Sequence, residues 1–312
     1  MLMAGSSLGK WLDEGTIPPM HDASRTDDCK TWTTPPAPGG PCIGAGDRVV
    51  RYGDGVFVTL GIRDGVLLDA ERQLERLRRA ADRLGLVPPP LFDDPDDAPY
   101  VAAALLEDLG ADDRARGTAR LQWHAGSGPR GFGRDDVIAG AILDLGPAPG
   151  ARRPALVVLD EVEAPPPALP RLKTCSALAH VTAARAARAL GADDGVRTVD
   201  GVVLETPSAN LFWLDRGVLR TPAADLPLYA GSVRERVIEC ALDAGLPVEE
   251  GEYAPDDLAD VDALLLTNAA RGVELAASLD GRVLPEPSGL ALALVDAVAA
   301  RRLAGGIPLG GR

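Results

Sequence analysis

Lysine is nearly absent from this chain. Of its 32 basic residues only Lys10, Lys30 and Lys173 are lysine, and the other 29 are arginine. Histidine is equally scarce, with three widely separated copies, His21, His124 and His180. The four cysteines, Cys29, Cys42, Cys175 and Cys240, contain no CxxC spacing. That argues against a zinc site and for a reduced, cytoplasmic protein. No run of about 18 apolar residues occurs, so no membrane-spanning helix is expected. The first residues lack a basic start followed by an apolar stretch, so no secretory signal is expected either. Positive charge is outweighed: the net charge of −14 points away from nucleic acid and from anionic membranes as partners.

What remains is the profile of a soluble globular protein. The 312 residues are 46% apolar and 25% charged, enough to bury the core of one large domain or two ordinary ones. Residues 1–45 are Pro/Gly-rich ("TTPPAPGGPC") and carry no period of 2 or 3.6, so they are read as an extension, with Trp11 and Trp32 as candidate anchors. Order is expected from "DRVVRYGDGVF" onward. Val56 to Leu60 alternate as a strand, and "RDG" (63–65) turns it back into a second one. In "DAERQLERLRRAADRLGL", Leu74, Leu77, Ala81 and Leu84 share a helical face, between Asp69 as a cap and Gly85 as a stop. A helix over 98–109 and strands over 118–124 and 136–145 follow. The Pro/Gly runs at 146–154 and 164–170 read as linkers. The spacing predicts a small α+β domain over 46–150 and a larger one over 151–312.

The second half has the stronger signals. An alanine-rich helix covers 176–190, and hairpins turn at Asp200-Gly201 and Asp215-Arg216-Gly217. "GSVRERVIECALDAG" predicts a helix opened by a Ser232/Glu235 capping box. An apolar strand at 261–267, the turn "NAARG", a strand at 273–279, the Asp280-Gly281 turn and a helix at 288–303 complete it. Mixed elements with frequent hairpins argue for antiparallel sheets and against a doubly wound parallel fold.

Lys173 is the only lysine after residue 30. Arginine stays charged in proteins, whereas a lysine can lose its proton and attack a carbonyl as a neutral amine. A surface lysine left by chance is the competing reading, and the neighbours weigh against it. Glu205 is an acid of the kind that keeps a pyridinium nitrogen protonated. "AGSVRE" opens a helix whose free N–H groups suit a phosphate. Lysine, acid and phosphate-binding helix start together suggest pyridoxal phosphate.

These residues fall within seven ordered segments: 47–57, 74–77, Lys173, "GVVLETPSANLF" (201–212), 219–222, "YAGSVR" (229–234) and "LLTNAARGV" (265–273). In them the chain resembles the class IV aminotransferases, the fold type IV group of pyridoxal-phosphate enzymes. That group includes branched-chain and D-amino acid aminotransferases, R-selective amine transaminases and 4-amino-4-deoxychorismate lyase. The resemblance implies an α+β fold in two domains, a smaller N-terminal α/β sandwich and a larger domain around a largely antiparallel, barrel-like sheet. It implies pyridoxal 5′-phosphate on Lys173 as a Schiff base, and Glu205 at the ring nitrogen. Arg76, Ser232, Val233, Asn268 and Ala269 would hold the phosphate. A solvated helix arginine, one of five at 72, 76, 78, 79 and 83, is the alternative for Arg76. Asn210 would organise the turn after Glu205.

On the substrate side the resemblance points to Val58, Tyr52 and Arg130, with packing and surface roles open for the last two. Here the chain departs from the family. "GSVR" stands for the usual "GITR", Pro207 replaces a small residue, Val58 replaces a Glu or Thr, and Ala125 stands where the lyases carry a substrate-binding arginine. The implied activity is amino transfer between a small-molecule amino donor and a keto acceptor, in a homodimer. The alternative is 4-amino-4-deoxychorismate lyase.

Overall fold

The computed structural model describes residues 30–34, 43–94, 96, 99, 102–103, 115–134, 137, 139–159 and 171–309. Two compact units divide the chain. The first takes Met1–Ala148, Thr174–Ser176 and Gly305–Arg312; the second takes Pro149–Lys173 and Ala177–Ala304.

The first unit is an antiparallel sheet with helices. Its strands are β1 (Lys30–Thr34), β2 (Gly55–Arg63), β3 (Val66–Leu68), β4 (Arg116–His124), β5 (Gly140–Pro147) and β16 (Ile307–Pro308), in the order β1-β5-β4-β2-β3-β16. Helix α1 (Arg48–Tyr52) leads into β2, and α2 (Ala70–Leu84) follows β3. The alternation expected in β2 is present: Val56, Val58, Leu60 and Ile62 are all buried. Leu74, Leu77 and Ala81 of α2 are buried as expected, and Gln73 of the same helix donates from Nε2 to the Thr59 carbonyl at 3.1 Å. Gly85 ends α2 in the left-handed conformation. Asp69 occupies the position before α2, but its side chain makes no capping bond, because its own backbone is left-handed at φ 53°.

One expectation meets a different outcome here. Residues 30–34 carry no period of their own, yet they form β1, with Trp32 opposite Leu143. An edge strand takes its hydrogen-bond partner from the neighbour's backbone, which no local period announces. Trp11 and the rest of the Pro/Gly-rich stretch lie outside the described residues. So does most of the helix expected at 98–109; Pro99, Ala102 and Ala103 within it are helical.

The second unit holds two five-stranded sheets. Beyond β5 its strands are β6 (Ala155–Leu159), β7 (Asp194–Val199), β8 (Val202–Val203), β9 (Asn210–Asp215), β10 (Val218–Pro222), β11 (Val248–Gly251), β12 (Ala263–Asn268), β13 (Gly272–Leu275), β14 (Ser278–Leu279) and β15 (Arg282–Val283). The orders are β11-β10-β9-β12-β13 and β15-β14-β6-β7-β8. Five ladders are antiparallel; β6–β7, β6–β14 and β10–β11 are parallel. Helices α3 (Leu178–Ala189), α4 (Ser232–Asp243) and α5 (Gly289–Ala304) complete the unit.

The apolar runs of β9 and β12 have a simple cause. Both strands are buried on two faces. Leu211, Trp213, Leu264 and Leu266 join Leu156, Val196 and Val203 in one core. Phe212, Leu214, Ala263 and Leu265 meet Val233 and Val237 of α4 and Leu294 and Val298 of α5 in another. A strand covered on both sides has no polar face to write. The three hairpin turns at Asp200-Gly201, Arg216-Gly217 and Asp280-Gly281 all have positive φ at both residues, as the right-handed twist of the paired strands requires.

Among the described residues no helix is long and apolar enough to cross a membrane, and no group of three His, Cys, Asp or Glu could hold a metal. Trp213 is fully buried and meets the Tyr253 ring edge-on at 4.7 Å. Trp213→Ala is expected to cost about 3–5 kcal/mol of stability, read by urea denaturation.

Candidate active site

One tyrosine connects the lysine to the acid. Lys173 Nζ lies over the Tyr229 ring, 5.1 Å from its centroid, a cation–π arrangement that orients the amine. The backbone N–H of Tyr229 donates to Glu205 Oε1 at 3.2 Å. Asn210, at the start of β9, holds both. Its Nδ2 donates to Glu205 Oε2 at 3.1 Å and to the Tyr229 carbonyl at 2.6 Å. Its Oδ1 accepts from the Gly231 N–H at 2.9 Å. A Cβ at residue 231 would lie 2.7 Å from that oxygen, so the approach needs glycine.

Glu205 reaches this position through a bulge. The β7–β8 hairpin pairs Val199 with Val202 and Thr198 with Val203, and regular continuation would pair Arg197 with Leu204. Instead Leu204 donates to the Arg197 carbonyl, and Arg197 donates to the Glu205 carbonyl, both at 2.9 Å. Two residues oppose one, and the extra residue re-aims the side chain. Arg197 Nη1 stands 3.8 Å from Glu205 Oε1. The loop beyond is tied to the start of β7, where Asp194 Oδ2 accepts from Thr206 Oγ1 at 3.0 Å and Ser208 Oγ at 2.7 Å.

Burial pushes the Glu205 carboxyl up to about 7; the Tyr229 N–H, Arg197 and Lys173 pull the other way. Burial also pushes His180 of α3 down to about 4, helped by the nearby Arg197 and Lys173 cations, so this imidazole is neutral at pH 7. Among the described residues, Arg197 Nε and Nη2, His180 Nδ1 and Thr267 Oγ1 are buried without a hydrogen-bond partner. Arg234 Nε and Arg271 Nε of the same unit also lack a hydrogen-bond partner; buried polar atoms are ordinarily satisfied, so the orphans on Arg197, His180 and Thr267 are compatible with a ligand site.

Ser232 and Val233 are the first two residues of α4 and are buried. The expected Ser232/Glu235 capping box does not form. Gly231 is the N-cap, and no side chain caps the helix; the Gly231 N–H is taken by Asn210 instead. The register is one residue off because a strand partner, not a local hydroxyl, anchors this helix start. Thr267 pairs directly with Asn210 across β12 and β9, which sets their side chains on the same face of the sheet. Asn268 Oδ1 accepts from the Arg271 N–H at 2.8 Å, and the Ala269 carbonyl accepts from Arg302 at 2.7 Å. Both residues therefore build the turn between β12 and β13.

The other expected site residues belong to the first unit. Arg76 is half-buried on α2. Val58 and Ala125 are fully within the core. Tyr52 accepts from the Gly131 N–H at 3.1 Å, with its ring 5.5 Å from that of Phe132. Arg130 is exposed on the same loop. Reading the sequence missed Tyr229, Arg197, His180 and Thr267. An arginine in the middle of "DGVRTV", the one basic residue of that strand, was the available signal for Arg197.

Residues 55–278 match the model of the class IV aminotransferases. The chain belongs to that family. It is 28% identical to a putative branched-chain-amino-acid aminotransferase of Methanocaldococcus jannaschii, over 76% of this chain and 83% of the relative. It is also 28% identical to a bifunctional aminodeoxychorismate lyase / D-amino acid transaminase of Mycobacterium tuberculosis, over 80% and 89%. A fold IV transaminase from Curtobacterium pusillum superposes with a TM-score of 0.70 at 28% identity, covering 84% of this chain and 89% of the other.

The buried acid has a readable pH signature. A carboxyl raised from its ordinary 4.5 to about 7 weakens the folded state progressively as pH rises through that window. Glu205→Gln, which removes the charge and keeps the shape, is expected to raise the Tm of the cofactor-free protein at pH 8 and to change it little at pH 4.5, by thermal melts at both.

Proposed function

We propose that the chain is a pyridoxal-phosphate-dependent aminotransferase, in which Lys173 carries the cofactor and moves the proton. The observation that carries this reading is the Lys173–Tyr229–Glu205 arrangement: an amine and a water-excluded acid, bridged by one residue. The residues present fit that cofactor. A buried carboxylate suits the protonated ring nitrogen that would meet it. The unpartnered Thr267 hydroxyl and the first N–H groups of α4 suit a phosphate.

Bound there, the cofactor supplies an aldehyde that takes up the amino group and a ring that draws electrons from the adjoining carbon. The protein supplies the rest. Lys173, displaced by the incoming amine, is a base held over the Tyr229 ring and carries the proton from the substrate carbon back to the cofactor side. Glu205 holds the ring nitrogen, and Asn210 keeps the carboxylate oriented. Ser232, Val233, Asn268, Ala269 and Arg76 are the proposed phosphate residues. Val58, Tyr52 and Arg130 are the proposed substrate-side residues; Val58 brings no polar atom, which suits an apolar substrate portion. A cytoplasmic homodimer is the proposed working form, as the family resemblance implies.

A lyase remains the second reading, favoured by one relative whose name joins lyase and D-amino acid transaminase activities. The two separate in one experiment. With an amino donor and no acceptor, an aminotransferase converts its visible absorbance band to that of the aminated cofactor. A lyase given aminodeoxychorismate releases pyruvate and keeps the band. Amination by D- or L-amino acids or R-amines, with the band absent in Lys173→Ala, is the expected result. A wild-type protein that gains no band with added pyridoxal phosphate would overturn the reading.

A further inference from the structure

Arg197 is a costly residue for its position. It lies in β7 at 1% exposure, between Val196 and Thr198 and opposite Leu204 and Glu205 at the bulge. A valine or leucine would fill that position without desolvating a charge. Its guanidinium does not earn its place through ordinary hydrogen bonds: Nε and Nη2 have no partner among the described residues. Its one ion-pair contact among the described residues is Nη1 to Glu205 Oε1 at 3.8 Å. The bulge that turns Glu205 toward the lysine is also what puts Arg197 opposite it, so the two side chains share one face by construction.

We infer that Arg197 is a positioning residue: from across the bulge it biases Glu205 toward the carboxylate that the cationic ring of the cofactor would meet. The inference rests on the pyridoxal-phosphate reading. With Arg197 in place the buried carboxyl is already raised to about 7; without that cation it takes up its proton at higher pH still and meets the ring as an acid over more of the neutral range. The other groups facing Glu205 do not replace the arginine. Asn210 and the Tyr229 N–H are neutral donors. Lys173 loses its free ammonium when it carries the cofactor. His180, near Arg197 and Lys173, remains neutral around neutral pH.

The consequence is a pH edge in cofactor affinity. Binding weakens below the pH at which Glu205 takes up its proton, and removing a neighbouring cation moves that pH upward. The titrations of the cofactor itself are common to all variants and cancel in the comparison. Pyridoxal phosphate binding is titrated by absorbance across about pH 5.5–8.5 for wild type, Arg197→Met and Arg197→Lys. In Arg197→Met the acidic edge is expected about one unit higher, which is about a tenfold weaker Kd on the acidic side and little change at the alkaline end. Arg197→Lys, which keeps the charge, restores the edge. If Arg197→Met fails to fold, Arg197→Gln carries the same comparison. An unmoved edge overturns the inference, and so does an equal loss at every pH, which marks a purely structural arginine. A wild-type protein that binds no pyridoxal phosphate instead removes the reading beneath it.

Discussion

A carboxylate out of water must be compensated, and much of the second unit follows from compensating Glu205. The acid sits where burial alone would neutralise it. Three elements converge to hold it: β7 through Arg197, β9 through Asn210, and the segment before α4 through Tyr229. Asn210 is the hub, since its amide also fixes the Tyr229 carbonyl and the Gly231 N–H. Positioning the acid and positioning the start of α4 are therefore one act. A helix start aligned in this way is available to an anion, and the lysine held over Tyr229 stands beside it.

The scaffold around this cluster is rigid for reasons of burial. β9 and β12 lie between two apolar cores, with alternate residues committed to each. Neither strand can slip by one residue without exchanging its two faces. Since Asn210 begins β9 and Thr267 pairs with it across β12, the site inherits that register. Asp194, bonded to Thr206 and Ser208, closes the loop between acid and hub from the other sheet. The family's loop sequence is altered here by Pro207, but the anchoring is made by residues on either side of it.

Much was legible in the sequence where the physics is local. Hairpins announced by Asp-Gly pairs form with the positive φ they demand, and α2 buries the face its leucines mark. The lone lysine among arginines singled out the residue proposed to carry the cofactor. What was not legible is non-local. The strand at 30–34 is recruited by β5. The capping box yields to an asparagine from another strand. Regular hairpin pairing puts Arg197 beside Leu204, and only the bulge brings Glu205 to it.

The sequence by itself determined the family whose ordered segments the chain shares and the candidates for its chemistry: the one lysine after residue 30 and the acid proposed to accompany it. Those are properties of side-chain types and of their spacing along the chain. The tertiary structure decided the charge state in which that chemistry is held. Whether Glu205 is acid or carboxylate depends on burial, on a bulge and on a buried arginine eight positions away in the chain. The balance of desolvation against neighbouring charge exists only once the hairpin has folded and the second strand of the sheet has come alongside.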